Sequence, residues 1–167
     1  MRNLLTIILS VLVLSATAQD QKKLLSPKAS SKYGDIEITY GQPAKRGRVI
    51  FGGLVPYDSV WRTGANEATE ITLKKDAVLG GRKVKAGTYT LFTVPGEKSW
   101  EIILNNQLGQ WGAYEYEKYR RKNVLRVKAP VYVLDEEQEN FTITVKKEAI
   151  TFEWDKTGVA VPVKAVQ

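Results

Sequence analysis

From Asp35 onward the apolar residues of this chain recur at alternate positions. Ile36, Ile38 and Tyr40 begin the pattern, and Ile71 with Leu73, Tyr89 with Leu91, and Trp100, Ile102 and Leu104 repeat it. It returns in Phe141, Ile143 and Val145, in Ile150, Phe152 and Trp154, and in Val159, Val161 and Val163. Successive side chains of a strand point to opposite faces, so a period of two predicts strands with one face in a core and one in water. Residues suited to chain reversal separate them, at Leu79-Gly80-Gly81, Ala86-Gly87, Pro95-Gly96 and Asp155-Lys156-Thr157-Gly158.

Short strands spaced roughly 8 to 12 residues apart, with no long helical pattern between them, predict an all-β fold. Two antiparallel sheets packed as a sandwich are the expected form, and an open β-barrel is the alternative. The one helical candidate is "AYEYEKYRRKN", where Tyr114 and Tyr116 also alternate before Asn123 to Val127 reads as the next strand. At most one short helix is therefore expected between Leu108 and Asn123.

The pattern differs at the amino end. Arg2 precedes the apolar "LLTIILSVLVLS", and Ala16-Thr17-Ala18 supplies the small residues that signal peptidase reads. The apolar run is shorter than the roughly 20 residues that span a bilayer, and Gln19, Asp20, Gln21, Lys22 and Lys23 follow it. Residues 1–18 thus read as a signal peptide cleaved after Ala18, leaving no stable membrane span. The protein is expected in the periplasm or outside the cell. Residues 19–32, polar and Ser/Lys-rich with Pro27, read as a flexible leader, and 33–167 as a single β-sandwich domain.

Composition then removes whole classes of chemistry. There is no His and no Cys, so a Ser-His-Asp relay, a thiolate nucleophile and a thiolate zinc site are excluded. Disulfides are excluded too, and packing and hydrogen bonds must hold the domain. No phosphate-cradling or dinucleotide-binding glycine motif is present, and no cofactor is expected. The formal charge of +7 becomes +6 once Arg2 is lost. For an exported protein that balance suits acidic glycans, anionic small molecules or envelope components rather than nucleic acid. Nothing in the sequence sets an oligomeric state.

Polar and aromatic residues crowd into one stretch, "PAKRGRVIFGGLVPYDSVWRTGANEAT". Sugar rings lie on Trp or Tyr faces while Arg, Asn and Glu satisfy their hydroxyls, and Arg forks suit carboxylates or phosphates. Arg46, Arg48, Trp61, Arg62, Asn66 and Glu67 are therefore the candidate binding residues. Each has a structural alternative: Trp61 as a core anchor, Arg62 with Glu67 as an ion pair, Asn66 as a turn cap. A hydrolase working through two carboxylates without His is the enzymatic alternative, with Asp58 and Glu67 the nearest pair, and a purely structural envelope protein is a third reading. A calcium site on Asn66, Glu67 and Thr69 is chemically conceivable, but the stretch lacks the several carboxylates of a loop site, and no metal is expected. A second grouping, Trp111 to Lys122, mixes aromatic and basic residues and reads as a surface for an acidic polymer or as a solvated face.

The string "GQPAKRGRVIFGGLVPYDSVWRTGANEAT", followed by "AGTYTLFTVPGEKSWEIILNNQLGQWGAY" and "VLRVKAP", resembles the bacterial family catalogued as domain of unknown function 2911. The resemblance runs from about Tyr33 to Trp154 and implies an exported protein with a compact β domain. It implies no particular activity. The family's signature falls on Arg46, Gly47, Arg48, Trp61, Arg62, Gly64, Asn66, Glu67 and Thr69.

Overall fold

A computed structural model describes residues 26–165. The expected signal peptide and the first part of the leader lie outside the described residues. The chain forms β1 (Lys28–Tyr33), β2 (Ile36–Gly41), β3 (Thr69–Leu73), β4 (Ala77–Leu79), β5 (Arg82–Val84), β6 (Gly87–Val94) and β7 (Ser99–Asn105). A short helix, α1 (Tyr116–Tyr119), runs into a single 3-10 turn at Arg120–Lys122, and β8 (Asn123–Val145) and β9 (Ala149–Ala165) complete the domain. All strand pairings are antiparallel, in the order β1-β2-β3-β6-β7-β8-β9-β4-β5. The first and last strands of that order do not meet, so the sheet is open.

The period-two pattern is realised as a fold of two layers that share their longest strands. The first part of β8 pairs with β7, from Asn123 opposite Asn105 to Pro130 opposite Ser99. Further along, β8 pairs with β9, whose end pairs with β4. The carboxyl end of β8 lies over the other side of the sheet: the Ile143 N–H donates to the Tyr40 hydroxyl at 3.1 Å and the Val145 N–H to Ser31 Oγ at 2.9 Å. Those contacts turn one open sheet into a sandwich.

Two boundaries differ from expectation. Lys28 to Lys32, assigned to the leader, pair along their whole length with β2 as its edge strand. Their composition is polar because an edge strand half in water has no need of an apolar alternation. Asp155-Lys156-Thr157-Gly158, expected as a reversal, lies inside the continuous β9. Opposite it, β8 spends Val133 to Gln138 against only Thr157 to Asp155. Such a bulge bends the pair, and Asp155 takes up the bend at φ 55°. Gly158 serves close approach rather than a turn, since a side-chain carbon there would overlap the Tyr132 ring.

The inward faces meet in a core containing Ile38, Ile71, Leu91, Ile102, Phe152 and Val161, among others. At its centre Trp61, Trp100, Phe141 and Trp154 pack against one another and against the half-buried Phe51. A smaller cluster lies on the outer face of β6 and β7, where Phe92 and Ile103 are covered by Tyr116 of α1 and by Ala68. The sequence between β7 and β8 thus forms a flap over one face of the sheet. Ala113 and Tyr114 of that flap form one wall of a surface cleft.

Candidate functional site

After β2 the chain leaves the sheet at Gly41 and rejoins it at Thr69. In between it forms no ladder, and isolated backbone bonds pin it. Phe141 N–H donates to Pro43 O at 2.9 Å, Lys45 N–H to Glu139 O at 2.7 Å, and Trp61 and Thr93 exchange bonds of 2.8 and 3.0 Å. Closer to β3, Ala65 N–H reaches Gly41 O at 3.1 Å, Ala68 N–H reaches Gln110 O at 2.9 Å, and Gly112 N–H reaches Asn66 O at 3.0 Å. Side chains add a clamp: Lys45 Nζ lies 2.7 Å from Asp155 and 2.9 Å from Glu137, and those hydrogen bonds raise the Lys45 pKa above its ordinary value.

The six candidate residues are distributed over this loop rather than gathered. Arg46 and Arg48 are exposed on one turn. The Arg46 N–H donates to Glu139 Oε1 at 2.8 Å, and the Arg48 guanidinium donates to the carbonyls of Lys45 and Ala44 at 2.9 and 2.6 Å. Arg48 therefore closes its own turn. Trp61 is 8% exposed, with Nε1 donating to Gly64 O at 3.1 Å, and it is the core anchor. Asn66 sits at φ 64° and donates Nδ2 to Ser26 O at 3.0 Å, which ties down the segment entering β1. Glu67 is exposed opposite Trp111. Arg62 and Glu67 form no ion pair among the described residues.

Arg62 lines a cleft together with Trp61, whereas Glu67 lines a separate recess. The cleft, of about 260 Å³, lies between the Leu54–Pro56 bend, Val60, Arg62 and the flap residues Ala113 and Tyr114. Arg62 Nε is shielded from solvent and has no hydrogen-bond partner. The next residue, Thr63, is buried at φ 56°, a conformation that a β-branched side chain rarely adopts. Its hydroxyl bonds to Thr93 Oγ1 at 3.1 Å and its carbonyl accepts from Thr69 Oγ1 at 2.7 Å. These bonds hold the strained turn that sets the direction of Arg62, and strain of this kind persists only where its surroundings impose it. Thr69 is fully buried, and neither it nor Asn66 lines the recess of Glu67, so the three are not gathered at one recess.

Tyr114 had only its place in the Trp111–Lys122 grouping to mark it. That grouping divides in the structure: Tyr116 is buried under the flap, Lys118 and Lys122 lie over the Tyr119 ring, and Tyr114 stands 81% exposed at the cleft. A second recess, of about 110 Å³, opens on the other side of the loop, lined by Lys28, Thr39, Gly41, Glu67, Glu70 and Gln110, among others. Glu70 and Gln110 were not among the candidates, because neither stands in an apolar pattern or a motif. No helix among the described residues is long and apolar enough to cross a membrane.

No curated protein and no solved structure matches this chain. A family described as "Protein of unknown function (DUF2911)" matches residues 24–163, a span that contains the whole sandwich core and both recesses. The chain belongs to the DUF2911 family.

Proposed function

We propose that the protein is an exported binding module that takes an acidic sugar or another small anion in the cleft at Arg62. The observation that carries this reading is the Arg62 Nε, buried beside an open cleft with no acceptor of its own. Folding has removed its water and given nothing back, which costs about 1–3 kcal/mol for a buried donor and more for a charged one. A ligand carboxylate would supply the missing acceptor and engage Nε and an Nη in one planar fork. Leu54, Pro56, Val60 and the exposed Tyr114 offer apolar surface on which a sugar ring or carbon skeleton can lie. The cleft falls just below the roughly 300 Å³ at which sites for drug-sized ligands begin, which suits a single sugar ring or a smaller anion. A positive net charge favours the approach of an anion.

Two carboxylates facing each other would favour hydrolysis instead. Asp58 binds the turn after β6, its N–H 2.8 Å from Pro95 O, whereas Glu67 lies opposite Trp111. Neither recess is lined by both.

A thermal-shift screen of hexuronic and sialic acids against their neutral counterparts tests the reading. An acidic sugar is expected to raise the melting temperature, and the rise is expected to vanish in Arg62→Ala and to shrink in Tyr114→Ala. Arg62→Ala should itself melt close to wild type, because it orphans no partner. A large loss of stability in Arg62→Ala with no ligand response in wild type would leave Arg62 a brace.

Export rests on Arg2, the apolar run and Ala16-Thr17-Ala18. Expression of the complete chain in a bacterial host should yield soluble protein outside the cytoplasm whose intact mass begins at Gln19. Recovery of the full-length chain from membranes would remove this part of the proposal.

A further inference from the structure

The second recess presents oxygen atoms without donors to satisfy them. Gln110 is only 5% exposed, and its Nε2 donates to Gln107 O at 2.9 Å. That bond fixes which end of the amide is the oxygen. Oε1 is left shielded from solvent with no hydrogen-bond partner. Glu70, which also lines the recess, accepts the Gly109 N–H on Oε1 at 3.2 Å and keeps its second oxygen available. Glu67 completes the set, its exposed carboxylate in no hydrogen bond or ion pair among the described residues. The backbone holds these three side chains together, since Glu67 bridges Trp111 and Ala68 N–H binds Gln110 O.

We propose that this recess binds a hard divalent cation of the calcium class through Glu67, the second oxygen of Glu70 and Gln110 Oε1. All three donors are oxygen and two are carboxylate, the chemistry that calcium selects with its flexible six- to eight-fold coordination. The recess of about 110 Å³ leaves room for the ion with waters, each of which takes about 30 Å³ in the liquid. Magnesium demands a near-ideal octahedron and fits three protein donors on two backbone segments less well. Two carboxylates place the affinity at the weak end of calcium sites, roughly 0.1–1 mM, the range of modules that work outside cells. The proposal departs from the sequence expectation of no metal because two of its donors stand outside the VWRTGANEAT stretch. Lys28 at the rim is the cation inside the protein that could compete for the same oxygens.

Terbium replaces calcium and is sensitised by nearby Trp, here Trp111, whose backbone bridges Glu67. Titration of the domain with terbium in phosphate-free buffer is expected to give saturable emission that calcium displaces. Calcium, but not magnesium at equal ionic strength, is expected to raise the melting temperature. Glu67→Gln and Glu70→Gln keep side-chain size, and Glu70→Gln keeps an acceptor for Gly109. Each should weaken terbium and calcium binding about tenfold or more, the loss seen even for groups one step removed from a metal. Arg62→Ala should leave both responses intact, which separates this site from the anion cleft. Unsaturable emission, wild-type binding in both Gln variants, or stabilisation by methylammonium in place of calcium would each overturn the proposal.

Discussion

Trp61→Ala is expected to lower stability by about 3–5 kcal/mol, the usual result of emptying a large buried aromatic site. The ring stacks on Trp154 at 6.0 Å and 14°, meets Trp100 and Phe141 edge-on at 6.1 and 4.9 Å, and lies 6.3 Å from Phe51. Its removal would leave a cavity bounded by four other aromatic rings, none small enough to collapse into the space. The Gly64 carbonyl would also lose its indole donor. At about 3 °C per kcal/mol for a domain of this size, the melting temperature should fall by about 10 °C or more. Trp111→Ala makes the control, since Trp111 is 55% exposed and outside both core clusters. That change should stay within about 0.5 kcal/mol. Thermal melts followed by circular dichroism decide the comparison, and equal losses in the two variants would mean that Trp61 does not anchor the core.

This contrast also explains how far the sequence could be read. Strands β2, β3, β6 and β7 and both halves of β8 and β9 follow the alternation of apolar residues, because each keeps one face against the main core. The alternation could not show that β6 and β7 are buried on both faces, since Phe92 of β6 and Ile103 of β7 owe their burial to the flap and not to their own strands. Nor could it show that β8 and β9 each run through what reads as two strands. A bulge has no periodic signature of its own, and Asp155 to Gly158 carries the same residues as a hairpin turn. The short helix fell where "AYEYEKYRRKN" allowed it, within Leu108 to Asn123.

The candidate site was legible by residue type but not by direction. Within VWRTGANEAT, Trp61 enters the core, Arg62 turns to one cleft, Asn66 reaches back to Ser26, and Glu67 faces the recess on the other side. Composition treats these as one polar-aromatic crowd. What separates them is a run of left-handed backbone positions, Thr63 at φ 56° and Asn66 at φ 64°, which re-aim the chain twice in four residues. Asn adopts that conformation readily, whereas Thr gives no sequence sign of it. Tyr114, Glu70 and Gln110 could be found only by folding, since the first comes from the flap and the others complete a recess made by four segments.

Gly41 is the position where this loop can be released in one step. Glycine here provides close approach: a side-chain carbon would lie inside the contact distance of the Ala65 carbonyl oxygen and 2.8 Å from its carbonyl carbon. A carbon added to Gly64 would likewise lie 2.8 Å from Gly41 O, so the two backbones touch from both sides. Gly41→Ala cannot be relieved by turning a side chain, because the obstacle is main chain that also carries the Ala65 N–H bond to Gly41. Its cost is expected at the upper end of the overpacking range, about 3 kcal/mol, with a fall of about 10 °C in melting temperature. Gly47→Ala is the matched control: nothing lies within 4 Å of the added carbon, and only its φ of 68° is unfavourable, worth about 1–2 kcal/mol. Because Gly41 also lines the recess of Glu67, Glu70 and Gln110, its replacement should weaken terbium binding as well, whereas Gly47→Ala should not. A Gly41→Ala protein that melts like the Gly47→Ala control would show that the loop is not seated on β2, and the placement of both recesses would fall with it.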